Sequence, residues 1–336
     1  MGVNILAIES SCDDTSVAVL SDHRVLSNII SSQIIHKKYG GVVPEAASRI
    51  HMEMIVQCCN EALITSGLSL DQIQAIAVTR GPGLMGSLIV GLAYAKGLAL
   101  SLGIPLIEVN HLQAHVYSVM MDQESLEFPI LCLTVSGGHT QLCVLEEDLS
   151  LEILGQTIDD AAGEAFDKIG KLLQLPYPAG PLIDKMAKEG KAIYTFPKAK
   201  VGGHDFSFSG LKTSVLYFLQ KQLLIDPEFI TKEIHNLCAS VQKVICDMLL
   251  EKTIESAEQY GIKSIGIAGG VSANSHIRTV FKNTCDAKGW NLYIPKISYC
   301  TDNAAMIGIV SLYKYQKRLF ATMDISALAR YSIKDS

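Results

Sequence analysis

With 336 residues, 49% of them hydrophobic and 18% charged, the chain can bury a large core, and its length favours two domains over one. That balance excludes a disordered chain. A formal net charge of −6 argues against a protein that coats nucleic acid non-specifically, while leaving room for a local basic patch. The nine cysteines are odd in number and none stands in a C-x-x-C pair, which fits reduced thiols in a cytoplasmic protein. Met1-Gly2-Val3-Asn4 has no basic start and its apolar run meets Asp13-Asp14, so no signal peptide is expected.

In chain order, Asn4–Ile8 and Ser16–Leu20 read as strands around a polar turn. Glu45–Thr65 has apolar residues at helical spacing, with Pro44 placed to start the helix and Gly67 to end it. Ile73–Thr79 is a strand that runs through Arg80-Gly81-Pro82-Gly83 into a helix over Gly86–Leu102. The apolar stretch Leu84–Leu102 carries Lys96 and three glycines, and is read as a tightly packed helix of an α/β core rather than a membrane span. Pro105–Val109 is another strand, and His111 opens a helix.

The pattern then begins again. Ile5–Leu20 aligns without a gap on Ile130–Leu145: Ile-Leu opens both, Ser11 matches Ser136, Thr15 matches Thr140, and Val-Leu closes both. Ile73–Gly83 resembles Ile262–Val271, Pro105–Val109 resembles Asn291–Ile294, and the helix start at Asn110-His111 resembles Thr301-Asp302-Asn303. A duplicated βα unit implies two similar lobes with a cleft between them. The expected division is 1–125 and 126–336, with a mostly helical insert at about 158–258 that includes a long amphipathic helix over Ile230–Glu258.

The turns Ser10–Thr15 and Ser136–Thr140 are built of Ser, Gly, Asp and Thr, residues that let backbone N–H groups approach an anion. Gly269-Gly270-Val271-Ser272-Ala273-Asn274 follows a strand and opens a helix, as a nucleotide site would. One such turn in each half is the arrangement of the actin, heat-shock-70 and sugar-kinase (ASKHA) superfold. An α/β protein of two duplicated ASKHA lobes, with a nucleotide and metal cleft, is therefore the expected architecture.

His111 and His115 are four residues apart, so both rings project from one helix face, a spacing that suits two imidazole ligands on one ion. Two histidines also share a helix by accident. Three features favour the metal: the pair follows a strand end, Asp302 holds the equivalent helix start in the other half, and two His with one carboxylate form a facial set with positions left for substrate. A zincin would need Glu after His111, where Leu112 stands, so peptide hydrolysis lacks its usual base.

Many ordered blocks then carry a family resemblance: Ile5–Asp13, Gly40–Glu45, Arg80–Leu84, Lys96–His115, Ser136–Thr140, Asp159–Lys168, Phe206–Lys212 and Thr301–Asn303. Across nearly the whole chain these resemble the universal tRNA threonylcarbamoyladenosine transferases, once grouped as "glycoproteases". The resemblance implies transfer of a threonylcarbamoyl group from threonylcarbamoyl-AMP to the exocyclic amine of the adenosine beside the anticodon, in tRNAs reading codons that begin with A. It implies one divalent metal ion, iron in preference to zinc, on His111, His115 and Asp302. It also implies substrate contacts at Thr134, Val135, Ser136, Gly137, Gly138, Asp167, Gly180, Asp184 and Asn274. The implied partners are tRNA, a smaller non-catalytic paralogue (TsaB-like) and a small ATPase (TsaE-like), with no membrane. Asp14 stands where the family usually has Glu, Gln113-Ala114 replaces Glu-Gly, and Ala179 replaces a Gly.

Adenylate is already a good leaving group and an aromatic amine is a poor nucleophile, so the chemistry needs orientation and charge stabilisation more than a covalent nucleophile. His139 is expected in proton transfer or phosphate contact, or else as a histidine packed behind its turn. Asp13 is expected to position a water or the amine, or else to stabilise its turn. Asp167 and Asp184 are expected to accept from ribose or base, or else Asp184 is an exposed helix residue. Lys185, Lys188, Lys191, Lys198, Lys200 and Lys212, with Tyr194 and Phe196 among them, form either an anticodon-loop surface or a solvated loop. An actin-like ATPase or kinase on the same superfold is the rival reading, but it leaves His111 and His115 unexplained. A scaffolding paralogue and the protease of the old family name are the others.

Overall fold

The computed structural model describes residues 2–32, 41–123, 125–199 and 201–333. Gly40 and Lys200, named above, lie outside the described residues. Internal contacts divide the chain into two units, Met1–Glu124 with Pro295–Ser336, and Ser125–Ile294.

The first unit opens with β1 (Asn4–Glu9), β2 (Asp14–Ser21) and β3 (Arg24–Ser32), followed by α1 (Pro44–Ser66), β4 (Ala75–Gly81), α2 (Met85–Leu102), β5 (Leu106–Asn110) and α3 (His111–Tyr117). Its sheet runs β3-β2-β1-β4-β5. β1 pairs antiparallel with β2 and parallel with β4, so it is covered along both edges. That explains its nearly unbroken apolar run: Ile5, Leu6, Ala7 and Ile8 are all 0% exposed. Gly67 ends α1 at φ 72, where a Cβ would be strained. β3 has no counterpart in the sequence reading; Arg24–Ser32 mixes small polar with apolar residues because it is a half-buried edge strand.

α2 is long and apolar enough to cross a membrane, yet only one face of it is buried, through Ser87, Leu88, Gly91, Leu92, Ala95 and Ala99. Met85, Ile89 and Leu100 are exposed. The expected tightly packed core helix is buried on one face alone: α2 lies on α1 and β4 and turns its other face outward.

The second unit holds β6 (Ile130–Val135), β7 (Thr140–Leu145), β8 (Leu151–Gln156), α4 (Ala162–Leu172), α5 (Gly180–Ala187), α6 (Ser209–Ile225), α7 (Phe229–Tyr260), β9 (Ser264–Ala268), α8 (Ser275–Lys288) and β10 (Asn291–Tyr293). Its sheet runs β10-β9-β6-β7-β8, the same path as the first. The gapless alignment read from the sequence has a direct physical counterpart: Ile5 faces Leu20 across the first hairpin, and Ile130 faces Leu145 across the second.

The chain then returns to the first unit. α9 (Ala304–Gln316) packs on β1, β2 and α3. Ala304 N donates to Ser16 Oγ (2.9 Å), Ala305 N donates to Asn28 Oδ1 (3.3 Å), and Gly308 lies so close to Leu20 that a Cβ would come within 2.1 Å of it. Residues 295–333 thus belong with the first unit, whereas the division expected from the sequence places them in the second lobe.

The second core is organised around Phe166, Phe208 and Phe281, the largest fully enclosed side chains among the described residues. Phe281→Ala is expected to cost about 3–5 kcal/mol in urea unfolding followed by circular dichroism. A loss under about 1 kcal/mol would mean that the surrounding helices collapse into the space.

Candidate metal centre and anion cradle

β5 runs into α3 without a loop, and Asn110 makes the join. Its Oδ1 accepts from Leu112 N (2.9 Å) and Gln113 N (3.2 Å), capping the helix. Its amide donates to the carbonyls of Tyr331 (3.3 Å) and Ser332 (3.1 Å). His111 is therefore pinned as the first helical residue, and His115 follows one turn later. Their rings meet edge to face, with centroids 4.7 Å apart.

Asp302 stands just before α9, whose cap Asn303 accepts from Met306 N (3.0 Å). Asp302 Oδ1 lies 3.1 Å from His115 Nε2 and 3.5 Å from His111 Nε2. One ligand atom from each of the three residues falls within 4.8 Å of the others. Atoms sharing an ion at bonds of ~2.1 Å lie roughly 3–4 Å apart, so the separations to Asp302 suit a common ion. All three residues belong to the first unit. The sequence reading had Asp302 reaching across from the opposite lobe; instead the returning α9 segment brings it to the histidines within one unit.

Behind His111 lies Glu9, 0% exposed at the end of β1. Its Oε2 is 2.9 Å from His111 Nδ1 and accepts from Thr79 Oγ1 (2.6 Å), while Oε1 accepts from Ser11 N. Burial opposes charge on each of these groups. For His111 the carboxylates of Glu9 and Asp302 outweigh it and hold its pKa well above the usual imidazole value. For Asp302 the two histidines outweigh it and hold the carboxyl well below its usual range. Glu9 is lowered against the pull of burial by His111. The cluster is arranged for positive charge between carboxylates, which a divalent ion would supply.

The β1–β2 turn is held from several sides. Ser10 Oγ donates to Ser87 O (3.0 Å) and Leu84 N donates to Ser11 O (2.8 Å). Buried His51 of α1 bridges Thr15 Oγ1 (2.7 Å) and Cys12 O (3.0 Å). Asp13 is half-buried in this turn, beside the Cys12 thiol; burial first, and then Asp13, push that thiol far up.

Next to it, burial raises Asp14 to about 6, with Asp13, Asp302 and Glu9 adding to the rise and Ser32 opposing it. An acid raised on folding binds more protons in the folded than in the unfolded state. Its contribution is therefore present at low pH and is lost as pH rises from about 4 to about 6. Asp14→Asn should remove that slope, making the variant's advantage over wild type larger at neutral than at acid pH in parallel urea titrations. Equal differences at both ends would contradict it.

In the second unit the turn Ser136–His139 joins β6 to β7. Ser136 N donates to His139 O (2.8 Å), and His139 N donates to Ser136 Oγ (3.1 Å). Gly137 and Gly138 are exposed and a Cβ at either would meet nothing within 4 Å. His139 is exposed rather than packed behind the turn. Thr134 Oγ1 is buried, with no hydrogen-bond partner among the described residues. Val135 lies against Gly269, whose φ of 85 and 2.4 Å Cβ approach to Val135 O admit only glycine.

Three of the polar side chains expected on substrate, Asp167, Asp184 and Asn274, are bound up in the fold. Asp167 Oδ1 accepts from Ala179 N (2.7 Å), tying α4 to the start of α5 at Gly180; burial raises its pKa despite that bond. Asp184 accepts from Ser275 N (3.2 Å) and Oγ (2.8 Å) at the start of α8. Asn274 caps α8 through His276 N (3.0 Å) and Ile277 N (3.1 Å) and donates to Gln242 Oε1 (2.8 Å). Ala179, the departure from the family pattern, is 1% exposed and seated over Gly170, which has no Cβ to meet its methyl.

The aromatic pair of the lysine-rich segment is also internal. Tyr194 packs on Phe218 and Phe229 and donates to Glu233 (2.9 Å), and Phe196 is buried. Neither can stack on an exposed base, which corrects that part of the reading. Lys198 is paired with Glu251 and Asp247. Lys185, Lys188 and Lys191 are exposed and Lys212 half-buried.

The family described as tRNA N6-adenosine threonylcarbamoyltransferase (TsaD) matches residues 24–309. A protein of that name from Riemerella anatipestifer is 52% identical over 333 residues, 98% of each chain. The chain belongs to this transferase family. Another relative of the same name, from Porphyromonas gingivalis, is 49% identical over 335 residues, again 98% of each chain. Among solved structures, HypF of T. kodakarensis superposes with a TM-score of 0.64 at 15% identity, over 94% of this chain and 48% of that one. Component A of (R)-2-hydroxyglutaryl-CoA dehydratase from Acidaminococcus fermentans gives 0.54 at 13%, over 94% and 99%. These likenesses bear on fold alone, and they agree with the ASKHA architecture expected from the repeated turns. In this transferase the sequence reading gave no role to Glu9, Thr79 or His51. The available signal was a lone Glu closing an otherwise apolar buried strand, since a fully buried carboxylate calls for partners.

Proposed function

We propose that the protein transfers the threonylcarbamoyl group from threonylcarbamoyl-AMP to the exocyclic amine of the adenosine adjacent to the anticodon, in tRNAs reading codons that begin with A. The carrying observation is the convergence of His111, His115 and Asp302 in a chain of this family. One divalent ion held there would supply Lewis acidity and an anchoring charge for donor oxygens. Iron is favoured over zinc because two imidazoles and one carboxylate leave further octahedral positions open; metal analysis of protein purified without air tests this.

The protein's own residues would do the rest. The N–H groups of Gly137 and Gly138 bind the donor phosphate, which keeps adenylate a good leaving group. Asp167 and Asn274 hold the α5 and α8 starts at which ribose and base would bind, with Gly180 leaving room beside Phe166. Asp184 steadies the same α8 start. Exposed His139 takes the proton released from the amine or contacts the phosphate, and Asp13 orients the amine. The anticodon loop would lie along Lys185, Lys188, Lys191 and Lys212.

The exposed apolar side chains of α1 and α2, Met52, Val56, Ile64, Met85 and Ile89, suit a smaller paralogue of the same fold, with a small ATPase completing the cytoplasmic assembly. Peptide hydrolysis is disfavoured by position: the buried Glu9 sits on the Nδ1 side of His111, turned from the side on which a metal-bound water would stand.

The test is reconstitution. Protein, tRNA, threonylcarbamoyl-AMP and the accessory proteins are combined and the nucleosides analysed by mass spectrometry. Modified adenosine is expected, and its absence would overturn the reading. Nucleotide hydrolysis without modified nucleoside would favour an ATPase instead.

A further inference from the structure

We propose that Glu9 is a positioning residue for the metal centre, fixing His111 in the Nδ1–H form so that Nε2 presents its lone pair to the ion. The inference rests on the metal reading of His111, His115 and Asp302. Glu9 is wholly enclosed, at the junction of β1 and the β1–β2 turn. A carboxylate there is costly unless every contact satisfies it. Ser11 N is an obligate donor to Oε1, and the Thr79 hydroxyl donates to Oε2 at 2.6 Å. The remaining approach to Oε2 is His111 Nδ1, at 2.9 Å. Facing an acceptor-only group, Nδ1 must carry the hydrogen. With Nδ1–H held by Glu9, the hydrogen given up when an ion binds is the one on Nε2, the atom that faces Asp302, which leaves the Nε2 lone pair for the ion. Ser11 Oγ, 3.2 Å from the same Nδ1, reinforces the orientation.

The two histidines differ in this respect. His115 Nδ1 is buried with no hydrogen-bond partner among the described residues, and the ring's hydrogen bond runs instead from Nε2 to Asp302 Oδ1 (3.1 Å), so nothing behind this ring holds it in the Nδ1–H form. His111 is thus the preorganised ligand and His115 the adaptable one. A carboxylate behind a ligating histidine orients the ring and raises its basicity, and losing such a partner typically weakens metal binding by about 10–100-fold. Glutamine at position 9 is nearly isosteric but can turn its amide N–H groups toward the ring, which would favour the Nε2–H form that cannot bind the ion.

The experiment uses zinc as the probe, with affinity measured by chelator competition on the full chain and ring tautomers read by nitrogen NMR of labelled histidines. Glu9→Gln is expected to weaken zinc by about 10–100-fold and to shift His111 away from its Nδ1–H form. Glu9→Asp keeps the charge but withdraws the oxygens by a methylene, and should show the same loss; it carries the test if the glutamine variant does not fold. Affinity within twofold of wild type, or weakened binding with the His111 tautomer unchanged, would overturn the proposal. Zinc failing to bind wild-type protein would instead sink the metal reading itself.

Discussion

Replacing His111 and His115 together with alanine is expected to reduce bound metal from about one ion per chain to background, and transfer activity by at least ~100-fold. The size follows from the site's composition. Among the described residues three candidate ligands converge, so two substitutions leave Asp302 alone, and a single carboxylate does not retain a transition metal against buffer. Losing a Lewis acid costs several kcal/mol of transition-state stabilisation, and each 1.36 kcal/mol is tenfold in rate. Fold loss is a separate outcome, because both rings lie in α3, whose cap Asn110 is untouched. Metal analysis, nucleoside mass spectrometry and circular dichroism on the same preparation distinguish the cases. Asp302→Asn should also lose metal, although Asn keeps a neutral oxygen; full metal content in that variant would remove Asp302 from the ligand set.

The duplication was legible because fully buried strands write themselves as apolar runs, and because Ile5–Leu20 and Ile130–Leu145 share the same hairpin register. The third strands, β3 and β8, were not, since edge strands carry mixed residues with no strict alternation. That His111 and His115 share one face was legible through their i, i+4 spacing. Where Asp302 comes from was not: pseudo-symmetry placed it on the other lobe, and only the packing of α9 on β1 and β2 returns it to the first unit. Tyr194 and Phe196 illustrate a different limit. Aromatics among lysines look the same in sequence whether they face a base or, as here, Phe218 and the second core.

Gly163→Ala should lower kcat/KM at least ~10-fold, chiefly through the donor KM, because it strikes the Ser136–Gly138 turn from behind. Gly163 sits in the first turn of α4, where its N donates to Ser136 O (3.3 Å). A Cβ there would stand 2.5 Å from Ser136 O and 2.8 Å from Gly137 Cα, backbone atoms that no rotamer change can move aside. Either α4 withdraws or the turn is displaced, and in both cases the Gly137 and Gly138 N–H groups would lose the aim that the proposed phosphate contact requires. Intrinsic preference predicts the opposite sign, since alanine in a helix is favoured over glycine by about 1 kcal/mol. Gly210, near the start of α6, provides the comparison: a Cβ there meets nothing within 4 Å, so Gly210→Ala should be neutral or stabilising and leave the donor KM alone. If Gly163→Ala behaved like Gly210→Ala, the turn would not depend on α4 for its shape, and its fit to an anion would have to come from β6 and β7 alone.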